Sequence, residues 1–438
     1  MTKGTKVLLM TVGTGTSDDL EKTLFIPLRK SITMGQWSRV VLLPSQETYP
    51  SAQALLRELP DIAIEIFPLQ LPRQENNADA AYAHFEAVIA RILSQGITPS
   101  QIVADFTRGT KAMSAALVLA ASRHGVPRLR YIAGRRDNRG SVSAGTEQVL
   151  EFSTTMARGH RLLDQALLAM TKGNFAAVLD ILPETNGPMA VLWPKDVRTI
   201  SEFARPLAEF YGAWDRLDYR AAQSLVASLS PKTADAAWQR FAPSDDMLRL
   251  VRLLAEPEPE EITAQAPRVR RIAADLLANG ERRIRDQQYE DAYLRAYRVL
   301  ELIGQARLFG HGLDSAQLPK DHPAVASFDA KLKKERSSQF GIDKKSGNYM
   351  APRELVARLL KDMGDAIGKR LLELGGKPFV KSRNRSVLIH GFEATNLASA
   401  TGLREIFRSL DQLLVEDGGE EAKTLLEVSR SLDFSILP

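Results

Sequence analysis

Short apolar runs alternate with stretches of helical periodicity over the first third of the chain. The runs predict strands at residues 7–12, 39–43, 62–67, 101–106, 128–132 and 148–152. Helical periodicity occupies residues 79–94 and 112–124, and another helix is expected to begin at Asp18 or Asp19. Strands alternating with helices predict a mainly parallel sheet covered on both faces, that is, an α/β Rossmann-like domain.

Beyond residue 155 the strand signals stop and the chain reads as helical. A helical pair at 158–171 and 175–182 is joined at Gly173, and an acidic, proline-broken linker is predicted at 256–261. A long helical pattern covers 269–309, with an interruption expected near Gly280. Residues 314–350 are polar and basic and are expected to form a partly mobile loop. The remaining helical segments are 352–376, 384–390 and 402–430.

These patterns predict three domains. Residues 1–155 form the Rossmann-like domain, 156–270 an all-α linker domain, and 271–438 an all-α C-terminal domain. A chain of 438 residues is long enough for two or three such units.

Composition excludes several function classes. The chain has no cysteine, so disulfides, thiolate zinc sites and cysteine nucleophiles are excluded. No apolar run approaches the roughly 18–20 residues of a membrane helix, and no signal-peptide pattern precedes the first strand. We therefore expect a cytoplasmic protein without a membrane partner. The net charge of +5 permits a nucleic-acid partner, and basic runs at 331–345 and 377–385 cluster in the last quarter.

Two glycine-containing loops follow predicted strands and open helices. One is Gly13-Thr14-Gly15, and the other is Thr107-Arg108-Gly109-Thr110-Lys111. The carboxyl ends of parallel strands are where open sheets bind ligands, and helix starts attract anions. Either loop alone is compatible with a simple tight turn. A turn does not require the charges of Arg108 and Lys111, so the pair of loops predicts a pocket for phosphates or polar nucleotide edges.

Two common nucleotide motifs are disfavoured. The dinucleotide fingerprint requires a third glycine, where this chain has Asp18. It also requires an acid near the end of the second strand, where this chain has Pro44-Ser45. A P-loop requires Gly-Lys-Ser/Thr, whereas here Gly109-Thr110-Lys111 is followed by Ala112.

His390 is the one histidine in a context that suggests chemistry. It follows Arg383, Asn384 and Arg385 in a short stretch ending at Gly391. On a helix at about 100° per residue, Arg383 lies about 20° from His390 and Arg385 about 140° away. Helix geometry therefore favours Arg383 as the partner. Residues 386–389 also fit a strand, and a histidine near a helix end with solvated basic neighbours is the purely structural interpretation.

The two N-terminal loops resemble those of the CRISPR-associated Rossmann fold (CARF) family. The resemblance rests on Val12-Gly13-Thr14-Gly15, on residues 105–113, and on 134–140, which is similar to the late hairpin of that family. It implies a homodimer that binds a cyclic oligoadenylate, with cyclic tetra-adenylate favoured. The ligand-binding residues that it implies are Gly13, Thr14, Gly15, Thr107, Arg108, Gly109, Thr110 and Lys111, with Ser45 and Arg136 as weaker candidates.

The C-terminal motif resembles the R-x4-6-H signature of HEPN ribonucleases. Arg383, Asn384 and His390 match it, and Arg385 satisfies its shortest spacing. A helix at 289–308 carrying Tyr297, Arg298, Glu301 and Gln305 also looks like a HEPN helix. The resemblance implies a metal-independent endoribonuclease on single-stranded RNA, with no cofactor, that the oligoadenylate activates in type III CRISPR defence. The CARF domain of such a protein is also a candidate for degrading its activator.

Two other functions remain open at this point. A metal-dependent nuclease requires an acid and Glu-x-Lys on neighbouring strands. Here Asp417 and Glu421-Ala422-Lys423 lie in a stretch that we interpret as a solvated helix face. A ligand-responsive regulator that binds nucleic acid through the basic C-terminal region is the non-enzymatic alternative.

Overall fold

A six-stranded sheet forms the centre of the N-terminal unit. The computed structural model describes residues 6–15, 19–135, 146–184, 186, 193–230, 235–337, 339–376 and 397–436. The strands are β1 (Val7–Val12), β2 (Arg39–Pro44), β3 (Ile64–Ile66), β4 (Ile102–Asp105), β5 (Arg128–Ala133) and β6 (Gln148–Ser153). Their order is β3-β2-β1-β4-β5-β6, all parallel except β6, which is antiparallel to β5. The predicted α/β Rossmann-like fold is confirmed, with strand limits within two residues of those expected.

Helices cover both faces of this sheet because alternate residues of the central strands point to opposite sides. In β1, Val7 and Leu9 belong to one apolar core, and Leu8 and Met10 belong to the other. The helices are α1 (Ile26–Thr33), α2 (Tyr49–Glu58), α3 (Ala78–Ser94) and α4 (Lys111–Arg123). The first core contains residues of α3 and α4, and the second contains residues of α1 and α2.

The rest of the described chain is almost entirely helical. Two compact units are present, one made of residues 1–164 with 183–199 and the other of 165–182 with 200–438. The helices beyond the sheet are α5 (Thr155–Thr171), α6 (Phe175–Ile181), α7 (Lys195–Asp215), α8 (Tyr219–Leu225), α9 (Ala236–Gln239), α10 (Asp245–Ala255), α11 (Ile262–Arg285), α12 (Tyr289–Gly310), α13 (Pro323–Lys334), α14 (Arg353–Asp362), α15 (Ala366–Gly375) and α16 (Leu397–Arg430). The helical C-terminal part predicted from the sequence is confirmed.

The core of the second unit is built on α11, α12 and α16, whose buried faces share one apolar cluster. The interruption expected near Gly280 is wrong, because α11 runs without a break to Arg285 and the chain turns at residues 286–288. Gly280 serves close packing instead. A Cβ there would lie 2.5 Å from Cζ of Phe407 on α16, so only glycine admits the aromatic ring.

The loop expected at 314–350 also contains regular structure. The 12-residue helix α13 buries Val325, Phe328 and Leu332, and a two-stranded hairpin pairs β7 (Gly341–Ile342) with β8 (Tyr349–Met350). The ring of Phe340 stacks on Tyr349, with centroids 4.9 Å apart. The apolar residues of this polar stretch were too sparse to show a period. The linker expected at 256–261 does separate α10 from α11.

No helix in the described ranges is both long enough and apolar enough to cross a bilayer. The longest, α16, carries charged residues along its whole length and is broken at Gly419, where φ is 64°.

Candidate functional site

The two predicted ligand loops lie side by side at the point where the strand order reverses. β1 and β4 are neighbours in the sheet, yet the chain leaves them toward opposite edges, which makes their carboxyl ends a topological switch point. Open α/β sheets bind ligands in the crevice at such points. The structure therefore brings the Gly13 loop and the Arg108 loop together, as the sequence predicted.

The loops approach so closely that their backbones touch. A Cβ on Gly13 would lie 2.7 Å from the Gly109 nitrogen, and Gly109 itself has a φ of 142°, where other residues are strained. The Thr11 hydroxyl donates a hydrogen bond to the Arg108 carbonyl, which ties the second loop to β1. Both glycines are thus required by the geometry of the crevice.

Helix α4 begins inside the second loop. The Thr110 hydroxyl caps it by accepting from the Met113 amide at 3.1 Å, and also donates to the Glu75 carbonyl. Lys111, the first helical residue, is exposed. A capped helix start with an adjacent exposed ammonium group is a favourable place for an anion.

Arg108 is a partly desolvated cation in the crevice. Its side chain is half-buried, and desolvation lowers the pKa of its guanidinium. Its Nε is buried and has no hydrogen-bond partner among the described residues. A partly desolvated cation with an unused donor is well suited to an acceptor supplied by a ligand.

Two of the predicted ligand residues have internal partners instead. The Thr107 hydroxyl donates to the Asp105 carboxylate and accepts from the Ile132 amide at 2.9 Å. Asp105, to which the sequence analysis assigned no role, is fully buried, and burial raises the pKa of its carboxyl against the hydrogen bonds from Ser31 and Thr107. Thr107 therefore connects β4 to β5 through its hydroxyl.

Ser45 likewise has hydrogen-bond partners inside the protein. It is only 2% exposed, and its hydroxyl lies 3.1 Å from that of Thr48, which in turn donates to the Val12 carbonyl at 2.8 Å. This pair ties the end of β2 to the end of β1. Of the remaining candidates, Thr14 is exposed, Gly15 has a φ of 68°, and Arg136 lies outside the described residues.

The predicted catalytic residues Arg383, Asn384, Arg385 and His390 also lie outside the described residues, in the segment 377–396 between α15 and α16. The helices on either side of this segment are joined by a chain of charges. Asp365, at the N-cap of α15, accepts from Arg307 Nε at 2.6 Å and lies 2.8 Å from His311 Nε2. Asp417 on α16 accepts from Arg270 Nε at 2.7 Å.

The polar residues predicted on a HEPN-like helix lie on one face of α12. Arg298 donates to Glu301 at 2.9 Å and to Gln305 at 3.4 Å. The guanidinium of Arg353, the first residue of α14, lies over the Tyr297 ring at 5.5 Å.

The residues considered for a metal-dependent nuclease do not have the strand arrangement that such a site requires. Asp417, Glu421 and Lys423 all lie in α16 rather than on neighbouring strands. The Asp417 side chain is fully buried against Arg270, and Lys423 pairs with Glu420 at the surface. Within the described ranges, no group of three histidine, aspartate or glutamate side chains is placed to hold a metal ion.

Comparison with known proteins finds a family match in the C-terminal part. Residues 263–414 match the family model of the Csm6 HEPN domain, a span that includes α12, all of α11 except its first residue, and the Arg383–His390 motif. No curated protein matches the sequence.

The fold of the whole chain matches that of Enterococcus italicus Csm6, solved with cyclic hexa-2'-fluoro-hexa-dAMP bound. The TM-score is 0.58 at 11% sequence identity, and the match covers 99% of this chain and 100% of that one. Residues 263–414 are thus similar to the HEPN domain of the Csm6 family, and the fold of the whole chain is similar to that of a Csm6 protein.

Proposed function

We propose that this protein is a cyclic-oligoadenylate-activated, metal-independent endoribonuclease that cuts single-stranded RNA in type III CRISPR defence. The observation that carries the proposal is the position of Arg383, Asn384 and His390 inside the span that matches the Csm6 HEPN domain, in a chain that also has a CARF-like crevice. In this proposal one polypeptide contains both a sensor domain and a nuclease domain.

RNA contains its own nucleophile, so the reaction needs few protein groups. The 2'-oxygen attacks the adjacent phosphorus, the bond from phosphorus to the 5'-oxygen breaks, and a 2',3'-cyclic phosphate remains. A histidine such as His390 can exchange the protons that leave the 2'-hydroxyl and reach the 5'-oxygen. Arg383, or Arg385 at the shorter spacing, stabilises the charge on the phosphorane, and Asn384 supplies a polar group beside it.

The activator is proposed to bind the crevice between the Gly13 and Arg108 loops. The unused Arg108 Nε, the exposed Lys111 and the start of α4 are suited to the phosphates of a ring. The resemblance to the CARF family favours a ring of four adenylates, whereas Enterococcus italicus Csm6 was solved with a ring of six units. Thr14 and Lys111 are exposed in the crevice and are the candidates for contacting the ring's 2'-hydroxyls if it is also degraded there.

A homodimer is proposed because each protomer presents the same loops, which matches the twofold symmetry of the ring. Helix α4, which starts at the crevice, carries an exposed Ala115 and a Leu119 that is 59% exposed. An apolar helix face beside the ligand site provides a surface that a second copy can cover. The motifs of the two HEPN domains would then face each other and form one composite site.

The test is an RNA-cleavage assay with the full-length protein, a panel of cyclic oligoadenylates including rings of four and six units, and EDTA. Cleavage that depends on one ring and resists EDTA is expected. His390→Ala should abolish cleavage while ring binding persists, and His160→Ala, which removes an exposed histidine of the N-terminal unit, should leave cleavage unchanged. Cleavage that requires magnesium, or that survives in His390→Ala, would contradict the proposal.

A further inference from the structure

Two adjoining cavities lie along α12 in the second unit, and no role has been assigned to them. The larger, of about 550 Å³, has an apolar floor that includes Ile272, Leu294 and Leu302. The smaller, of about 200 Å³, lies between α12 and the start of α14. Arg298 and Gln305 line both cavities, so the two share one wall.

The lining of these cavities is basic. Arg268 and Arg295 line the larger one, Arg353 lines the smaller one, and Arg298 borders both. The acids in the two linings are Glu258 and Glu301, and Glu301 is paired with Arg298. Positive charge beside an apolar floor matches a chain in which phosphates alternate with bases.

Among the residues that line the cavities, Arg353 gives the clearest indication of a ligand. Its guanidinium lies over the Tyr297 ring, its Nε is buried, and neither a hydrogen bond to that Nε nor a carboxylate partner is found in the part of the chain that the structure describes. A surface arginine normally pairs with an acid or with water, whereas this one is held in place by an aromatic ring. It therefore presents an unneutralised charge at a defined position.

Arg353 packs against Gly375, a residue that precedes the nuclease motif in the sequence. A methyl group at Gly375, the last residue of α15, would overlap Nη1 of Arg353, so the guanidinium occupies the space that a side chain would fill. Arg383 follows only eight residues later in the chain. Eight extended residues reach at most about 28 Å, which limits the distance between Arg353 and the motif.

We propose that the two cavities bind single-stranded RNA outside the cleavage point, with Arg353 and Arg298 on its phosphates and a base over the apolar floor of the larger cavity. The cavity of about 550 Å³ is within the range of small-molecule sites, so one nucleotide fits there. This inference rests on the proposed ribonuclease function, because it names where that same substrate is held. The subsite adds affinity for the RNA chain and takes no part in the proton transfers.

The test uses the full-length protein and the activating ring. Arg353→Gln should raise KM for a long single-stranded RNA roughly tenfold with kcat within about twofold, because binding common to substrate and transition state is lost. The slope of log affinity against log salt should fall by about one, as expected when one phosphate contact disappears. A dinucleotide substrate, which contains only the two nucleotides at the scissile bond, should be cut equally well by both proteins.

Three further variants distinguish a loss of RNA binding from a loss of folding. Arg353→Lys retains the charge and should recover part of the affinity. Gly375→Ala leaves Arg353 in the chain but displaces its guanidinium, and should raise KM in the same way. Arg252→Gln removes an exposed arginine of α10 that lines neither cavity, and should leave KM unchanged.

A binding measurement tests the RNA subsite separately from the proposed ribonuclease activity. Fluorescence anisotropy with 2'-O-methyl RNA, which cannot be cut, reports binding whether or not the protein is a nuclease. Equal RNA affinity and salt dependence in wild type, Arg353→Gln and Gly375→Ala would overturn the subsite even if cleavage is observed. Adenosine monophosphate that competes as well as RNA, or a loss of dimer mass in Arg353→Gln, would assign the cavities to a free nucleotide or to a second copy instead. Absence of cleavage with every ring would instead count against the proposed function.

Discussion

Arg307 on α12 lies 2.6 Å from Asp365 through its Nε and 3.6 Å from Asp417 through its Nη1. Asp365 caps the start of α15, and Asp417 lies on α16. One arginine therefore joins the two helices that flank the segment carrying Arg383 and His390. Arg270 and His311 complete the network by pairing with Asp417 and Asp365 from the other side.

Replacing Arg307 with Ala should destabilise the helical unit. The Asp365 and Asp417 carboxylates are almost completely buried, with side-chain exposures of 2% and 0%, so each would lose one of its cationic partners. Arg307 itself is 36% exposed, so we expect about 1–3 kcal/mol, between the values for surface and buried pairs. Calorimetry of the full chain measures this loss. Arg252→Ala is the matched control, and an equal unfolding temperature in both variants would contradict the role of Arg307.

Acid should weaken the same network at Asp365. Burial disfavours its carboxylate, but hydrogen bonds from His311 and Arg307 outweigh this effect and lower the pKa of Asp365 below its ordinary value of 3.8. A lowered folded-state pKa means that the carboxylate stabilises the fold above pH 3.8, and that this contribution is lost as the pH falls through the folded-state pKa. The unfolding temperature of wild type should therefore exceed that of Asp365→Asn near pH 6 and approach it in acid. A gap that stays constant with pH would show that Asp365 does not titrate in this way.

Gly13→Ala should impair the proposed activator site with little effect on the rest of the fold. The added methyl group would meet the Gly109 amide nitrogen at 2.7 Å, and both partners are backbone, so the two loops must separate. We expect ring affinity to fall at least about tenfold, or about 1.4 kcal/mol. Isothermal titration with the activating ring measures it. Gly310→Ala, where a Cβ meets nothing within 4 Å, is the control, and unchanged ring binding in Gly13→Ala would exclude the loop contact from the site.

Leu119→Glu should disrupt the proposed dimer. The leucine is 59% exposed on α4, and a carboxylate at the centre of an apolar interface is strongly unfavourable. Light scattering coupled to gel filtration should show a shift from dimer to monomer mass, and RNA cleavage should fall with it. Leu56→Glu on α2, where the leucine is 40% exposed, is the matched control. A dimer that persists in Leu119→Glu would place the interface elsewhere.

The strands of the sheet could be predicted because apolar runs and helical periodicity are local properties of the sequence. The pairing of these strands in the structure confirms the prediction. Strand β1 is buried on both faces, and its apolar run from Val7 to Met10 indicates that burial directly. The helix break misassigned to Gly280 shows the limit of the same reasoning. Glycine lowers helix propensity locally, but here the Phe407 ring, more than a hundred residues away, occupies the space that its missing side chain leaves.

The sequence alone determined the α/β N-terminal part with helical segments after it, the loops that meet at the switch point, and the order of residues in the Arg383–His390 motif, since each depends on near neighbours in the chain. The tertiary structure decided which polar groups are free to act. Thr107 and Ser45 look like ligand residues in the sequence, yet their hydroxyls bond to Asp105 and Thr48, whereas Arg108 and Arg353 each hold a buried Nε without a partner in the described chain. A hydrogen bond depends on distances of about 3 Å between atoms brought together by folding, and no local pattern encodes those distances.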